Sequence, residues 1–319
     1  MNCLIEDDYI VNIASLFDGI SCARVALERA GIKVDKYYAS EVDKYAIQIA
    51  QKNYPDTIQL GDITKLRGDD FKEDIDILIG GSPCQDLSIA KNNRQGLSGS
   101  RSGLFYEYLR VLKETKPKYF ILENVNSMPK EAKGTITKEL FNIQPIMINA
   151  SLVSAQNRKR LFWVGKLVNG QYEQVKIELP KDKGILLKDI LKPKVDEKYQ
   201  IKDKSSTIRT SGRGSGIDDK HNWDTIRLGQ FNNGGQGDRI YSTKGKSVAI
   251  SANGGGRGAK TGLYEVNEII RKLTPIECER LQSLPDNYTE GVSNTQRYKA
   301  LGNAFNVDVI VHIFNQMIY

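Results

Sequence analysis

The chain has 319 residues, 39% apolar and 27% charged, which is long enough for the core to divide into two lobes, and no apolar run approaches the roughly 20 residues of a membrane span. Two histidines and four widely spaced cysteines (Cys3, Cys22, Cys84, Cys278) without a C-x-x-C pair exclude histidine-rich metal sites and argue against a disulfide framework or a structural zinc. The 46 basic against 39 acidic residues give a net charge of +7, a modest bias toward anionic partners.

At the start, Glu6, Asp7 and Asp8 stand where a signal peptide would need a basic start and an apolar centre, so the expected location is cytoplasmic. Residues 11–17 form a short apolar run, 23–30 a helical stretch, 34–40 a strand candidate and 46–53 another helix. Residues 75–79 and 119–122 are continuous apolar runs of the kind found in strands buried on both faces, with a helical stretch over 104–114 between them. This alternation predicts an α/β fold with a parallel sheet. At the far end, Ile310, Ile313, Phe314 and Met317 fall at i, i+3, i+4 and i+7, which predicts an amphipathic helix returning to the first lobe.

The middle of the chain has another texture. Residues 166–272 hold 21 basic and 13 acidic residues, whereas the rest holds 25 and 26, so the positive surplus belongs to this segment. Thirteen of the 28 glycines lie between residues 205 and 262, interspersed with Ile, Trp, Phe and Tyr, which favours ordered β structure over a flexible linker. Residues 204–208 before Gly212-Arg213-Gly214 and residues 246–250 before Gly256-Arg257-Gly258 read as two short strands, each feeding a glycine-arginine loop. A boundary is expected near residue 166, with a catalytic and cofactor domain over 1–165, completed by about 285–319, and a smaller domain over 166–284.

Several polar residues follow the predicted strands. Phe17-Asp18-Gly19-Ile20 turns the chain from the first strand into the first helix, where nucleotide-like ligands bind in open α/β sheets. Glu41 follows the second strand, in the position from which a carboxylate reaches ribose hydroxyls, and Asp62 follows the third. There is neither a G-x-x-x-x-G-K-[ST] nor a full G-x-G-x-x-G, so the cofactor need not carry a pyrophosphate, and S-adenosylmethionine fits. Ser82-Pro83-Cys84-Gln85 follows the apolar run at 75–79, placing a lone cysteine on a loop with many basic neighbours that can lower a thiol pKa. Glu123-Asn124-Val125 ends the next strand, facing the same cleft, and Gln156, Arg158 and Arg160 precede the apolar Leu161-Phe162-Trp163-Val164. Strand alternation would put Arg158 and Arg160 on one face.

In this order, together with residues 273–282 (LTPIECERLQ) and Leu301-Gly302-Asn303-Ala304, these motifs resemble the DNA (cytosine-5) methyltransferase family. They cover the chain except for the glycine-rich segment. The forms SLFDGI and SPCQDLS are similar to the branch containing the eukaryotic de novo enzymes, while the compact chain is similar to bacterial and phage members, including those of restriction-modification systems. Ser21 and Cys22 depart from the glycines of many bacterial members, and Ser283-Leu284-Pro285 replaces the commoner Gly-Phe-Pro.

The resemblance implies a Rossmann-like methyltransferase fold with a smaller, mostly β or irregular target-recognition domain at about 170–270. It implies Cys84 as nucleophile toward carbon 6 of a flipped-out cytosine, Glu123 on the ring N3 and amino group, Arg160 on O2, and Arg158 supporting Cys84 or the base. S-adenosylmethionine, leaving as S-adenosylhomocysteine, would contact Phe17, Asp18, Gly19, Ile20, Glu41, Val42, Asp62, Ile63, Ser82, Pro83, Leu104, Asn303 and Ala304. The implied partner is double-stranded DNA, with no metal and no membrane, and the implied state a monomer. Residue chemistry nominates Gln85, Ser88, Arg209, Arg213, Arg227, Gln230, Asn232, Arg239 and Arg257, with Asn233, Gln236 and Asn253, as DNA contacts. Two other readings remain: a tRNA-directed relative, whose Cys-Phe-Thr signature is not found here, and a non-catalytic DNA-binding relative, against which Cys84, Glu123, Arg158 and Arg160 stand intact.

Overall fold

In the computed structural model, residues 10–82, 103–201, 225–231, 236–252, 257–258 and 260–318 are described. The chain forms two units, the first being Met1–Ile148, Lys159–Leu179 and Ile310–Tyr319, and the second Asn149–Arg158 and Pro180–Val309.

The first unit begins with Ile10–Leu16 (β1), buried on both faces from Ile13 to Leu16, and continues through Cys22–Arg29 (α1), Lys33–Ser40 (β2), Lys44–Asn53 (α2), Ile58–Gln59 (β3), Ile77–Gly81 (β4), Leu104–Thr115 (α3), Tyr119–Val125 (β5) and Lys130–Glu139 (α4). Local chemistry sets several ends. Asp43 accepts from Tyr45 N and Ala46 N at 2.9 and 3.3 Å, capping α2. α3 buries Phe105, Tyr108, Leu109, Val111 and Leu112, a stripe at helical spacing, and stops where Lys116 turns left-handed at φ 45°. Then come Ile146–Asn149 (β6), Gln156–Asn157 (β7), Lys159–Val168 (β8) and Gln171–Gln174 (β9).

The sheet order is β3-β2-β1-β4-β5-β8-β6, with β9 paired to β8. The pairs β2–β3, β1–β2, β1–β4 and β4–β5 are parallel, as the strand-helix alternation predicts. β8 departs from that expectation: it enters beside β5 and runs antiparallel to it, from Tyr119 opposite Lys166 to Val125 opposite Arg160. An apolar run buried on both faces does not encode the direction of its partner. Trp163 in this strand is fully buried in the main core with Phe105, Tyr108 and Phe120, and its indole N–H donates to Thr137 Oγ1 at 3.0 Å. The boundary expected near residue 166 falls inside β8, where Lys166 pairs with Tyr119 and lays its ammonium 5.4 Å from that ring, so the change of charge precedes the change of fold.

The second unit contains Leu187–Ile190 (α5), Arg227–Gln230 (β10), Arg239–Ser242 (β11), Ser247–Val248 (β12), Leu263–Val266 (β13), Ile269–Arg271 (β14), Pro275–Leu281 (α6) and Asn294–Asn303 (α7). Its four-stranded sheet runs β10-β11-β13-β14, while β12 pairs in parallel with β7. Phe231, Ile240 and Leu263 form a small core beneath that sheet. Of the two repeated strands expected here, the second is β12, and the first, at 204–208, lies outside the described residues. α6 opens on a capping box, Thr274 Oγ1 accepting from Glu277 N and Glu277 Oε2 from Thr274 N, with Pro275 leading the helix. The unit runs to Val309, past the boundary expected near 284.

Val307–Ile318 (α8) closes the chain; Ile310, Ile313, Phe314 and Met317 are buried as their spacing predicts, and residues from Ile310 onward belong to the first unit. No described helix is long and apolar enough to cross a membrane.

Candidate active site

The polar residues after β1, β2 and β3 gather at one edge of the first sheet because parallel strands present their carboxyl ends together. Phe17, Gly19 and Ser21 all have left-handed φ values, 57°, 62° and 58°, giving a sharp turn between β1 and α1. Phe17 packs its ring against the main core. Asp18 is buried, accepting from Ser21 Oγ at 2.6 Å and Tyr37 OH at 2.7 Å, and burial raises its carboxyl pKa above the ordinary range.

Glu41 ties the second strand end to the first. Its Oε2 accepts from Gly19 N at 2.8 Å, and its Oε1 from Val42 N and Asp43 N at 2.7 and 2.8 Å. Asp18 N donates to Ser40 O at 3.1 Å, so two backbone N–H groups expected to hold the methionine part of a cofactor are committed within the protein. Asp62 Oδ1 accepts from Thr64 N and Thr64 Oγ1 at 3.0 and 2.9 Å, which lowers its pKa, and its carboxylate lies open to solvent.

The chemistry of this edge fits an adenosyl group. Glu41 and Asp62 are fixed acceptors for hydroxyl and amino hydrogens, and Val42, 72% exposed, offers an apolar surface beside them. The side chains of Ile20 and Ile63 are buried, and the Ile63 carbonyl is taken by Arg110 Nη2 at 2.9 Å. Leu104 opens α3 and is half-buried against the main core.

Of the residues expected to be catalytic, Cys84 follows β4 in the sequence and Glu123 lies in β5. Gly80 in β4 is required by space, since a Cβ there would lie 2.8 Å from Leu16 O and 3.1 Å from the Tyr108 ring. Ser82 is buried and its Oγ accepts from Asn124 Nδ2 at 3.2 Å, locking the start of the segment that leads to Pro83 and Cys84, which lie outside the described residues. Gly81 stands opposite Glu123 in the β4–β5 register. Glu123 Oε1 and Arg160 Nε form an ion pair at 2.8 Å, with side chains 14% and 20% exposed, near the ends of β5 and β8. A carboxylate and a guanidinium thus stand on neighbouring strands beside the strand that delivers Cys84.

A family model of C-5 cytosine-specific DNA methylases matches residues 11–319. The chain belongs to the C-5 cytosine-specific DNA methylase family. It is 33% identical over 307 residues to the type II methyltransferase M.HhaI of Haemophilus parahaemolyticus, covering 93% of this chain and 91% of the relative. To the orphan methyltransferase M.SPRI of Bacillus phage SPR it is 27% identical over 432 residues, covering 97% and 98%. Among solved structures, the Entamoeba histolytica methyltransferase EhMeth matches with a TM-score of 0.71 at 19% identity over 97% of this chain and 98% of that one. S. pombe Dnmt2 matches at 0.68 and 19%, over 97% and 98%; these two likenesses bear on the fold.

In this methylase the two motif arginines part company. Arg158 lies in the second unit and is buried, its Nη2 donating to Gly302 O at 2.9 Å and Ala304 O at 3.0 Å, and its Nη1 to Ile250 O at 3.3 Å. It closes the C-terminal end of α7, where Asn303 is exposed and Ala304 buried, together with Gln282, whose Nε2 donates to Leu301 O at 2.7 Å. Alternation missed this because the strand is interrupted at Arg158, between β7 and β8. Gly302 is itself obligatory: a Cβ would lie 2.4 Å from Ala252 N.

The LTPIECERLQ run is scaffold. Arg271 binds Glu277 through two bonds at 2.9 and 2.8 Å, and Glu279 accepts from Asn287 N, Thr289 N and Arg297 Nη2 at 2.7, 2.9 and 2.8 Å. Of the expected DNA contacts, Arg227 is exposed on β10 and bonded to Gln230, Arg239 is half-buried on β11, and Arg257 places its guanidinium 5.1 Å from the Phe231 ring. Gln85, Ser88, Arg209, Arg213, Asn232, Asn233 and Asn253, with the side chain of Gln236, lie outside the described residues. Among the described residues no cluster of His, Cys, Asp and Glu could hold a metal ion.

Proposed function

We propose that this DNA cytosine-5 methyltransferase acts on a cytosine flipped out of a specific duplex sequence, through a covalent bond to Cys84. The observation that carries the reading is the Glu123–Arg160 ion pair beside β4, three residues beyond whose end Cys84 follows. Carbon 5 of cytosine is too weak a nucleophile to take a methyl group directly. Attack by the Cys84 thiolate on carbon 6 moves ring electrons toward N3 and carbon 5. Glu123 holds N3 and the exocyclic amino group, and Arg160 donates to O2, so both stabilise the charge that develops on the ring. Carbon 5 would then take the methyl group as the donor's methyl–sulfur bond breaks to leave a neutral thioether, and loss of the carbon 5 proton to water would re-form the ring double bond as the Cys84 thiolate departs. Duplex unstacking costs a few kcal/mol, which contacts to the surrounding DNA must offset.

Family membership implies S-adenosylmethionine as methyl donor, and when bound it supplies an electrophilic methyl on a sulfonium. Glu41 would accept from its ribose and Asp62 from its adenine amino group, and Val42 and Phe17 would flank the adenine. Arg158 acts as a positioning residue for Gly302, Asn303 and Ala304, without touching the base. The domain over about 170–270 binds DNA through Arg227, Gln230, Arg239 and Arg257 with Arg209, Arg213 and Asn232, and the enzyme works as a monomer.

Incubation with methyl-labelled S-adenosylmethionine and an equal mixture of duplex DNA and tRNA tests the reading. Label is expected in DNA alone, and none with Cys84→Ala. Label in tRNA, or equal labelling by the variant, overturns it.

A further inference from the structure

Among the described residues β10 stands at the edge of the four-stranded sheet, and it departs from regular pairing. Arg227 stands opposite Tyr241, but Gly229 stands opposite Ile240, so two steps on β10 match one on β11 and Leu228 is the extra residue of a β-bulge. A bulge bends its strand and re-aims a side chain. Leu228 is 38% exposed and Ile226, immediately before Arg227, is 42% exposed. Just past the end of the strand, Phe231 is buried in the small core with Ile240 and Leu263. Two large aliphatic side chains therefore flank an exposed arginine, in the segment that carries the chain's positive surplus.

That combination suits one surface well. The major groove offers guanine O6 and N7 to an arginine and the 5-methyl of thymine to an apolar side chain, and it admits a β-ribbon. We propose that Leu228 is a specificity residue: the bulge on β10 turns it toward the major groove, where it seats against the 5-methyl group of a thymine adjoining the base pair contacted by Arg227. The proposal rests on the duplex-DNA reading above and adds to it a base identity, an A·T pair in the recognition sequence, together with the side chain that reads it.

The test begins with bisulfite sequencing of DNA from an expressing host, which defines the methylated sequence. Duplexes carrying that sequence are then assayed with each thymine replaced in turn by deoxyuridine, which lacks only the methyl group. With the wild-type enzyme, kcat/KM is expected to fall about fourfold at one thymine, the value of one buried methyl-sized group. The Leu228→Ala variant should be slower by a similar factor on the thymine duplex and indifferent to the replacement. A recognition sequence without thymine, a wild-type enzyme indifferent to every replacement, or a variant that keeps the discrimination overturns the proposal. So does a concentration-dependent dimer that Leu228→Ala dissociates while discrimination persists, because the patch would then meet a second copy. Absence of any DNA methylation by the wild type would instead count against the duplex-DNA reading itself.

Discussion

At the carboxyl edge of the first sheet, Glu123 and Arg160 meet with 14% and 20% of their side chains exposed, whereas the second unit encloses Arg271–Glu277 at 3% and 0% and Arg297–Glu279 at 12% and 0%. Both regions use guanidinium–carboxylate pairs at 2.8 Å. The difference lies in what can reach them. A half-open pair can trade its partner for a polar ligand at little desolvation cost, while a sealed pair can only hold its surroundings together. The same residue chemistry thus leaves a pair open to a ligand in one unit and seals it as framework in the other, and burial decides which.

The sharpest way to break that contrast is Glu277→Ala. It leaves Arg271 buried without its counter-charge, so unfolding in urea should show a loss of about 3–5 kcal/mol. A loss under about 1 kcal/mol would mean that the sealed pair is no framework. Arg160→Ala should behave in the opposite way, with kcat lower by about 10²–10³ and stability changed by less than about 1 kcal/mol. Comparable damage to both would erase the distinction. Arg158→Ala removes a charged donor from three carbonyls and should cost about 2 kcal/mol of thermal stability. Arg158→Lys should recover only part of it, because an ammonium lacks the planar fork that spans separated acceptors.

The smallest effect is read against pH. Burial raises the Asp18 pKa above its ordinary value of 3.8, so the folded state favours the protonated carboxyl. Its contribution to stability is complete below pH 3.8 and is lost as pH rises through the folded value. Asp18→Asn should therefore flatten the decline in stability above that pH in a series of thermal melts, and an unchanged slope would mean that the hydrogen bonds from Ser21 and Tyr37 offset the burial.

Much of the first unit was legible from residue order. Short apolar runs ending in Phe17-Asp18-Gly19, Glu41 and Asp62 mark strand ends, since a parallel strand must turn where its apolar run stops. The insertion of β8 was not legible, because Leu161-Phe162-Trp163-Val164 looks the same whichever way its neighbour runs. The separation of Arg158 from Arg160 also escaped, because alternation presumes a continuous strand and the chain breaks its pairing between them. Nor does spacing reveal that Glu41 holds Gly19 N, a contact between residues 22 positions apart made by the fold. In the glycine-rich segment, composition disclosed β structure and positive charge, but the bulge at Leu228 depends on register, which no single-residue preference encodes.

The bond from Gly19 N to Glu41 Oε2 decides which anions the first turn can hold. Turns of this kind at the start of a helix normally attract phosphate, through N–H groups left open to it. Here a carboxylate has already taken one of them, and two negative charges about 4 Å apart repel by about 1 kcal/mol in water and more where water is scarce. A carboxylate that grips the turn therefore makes this helix start a poor seat for phosphate.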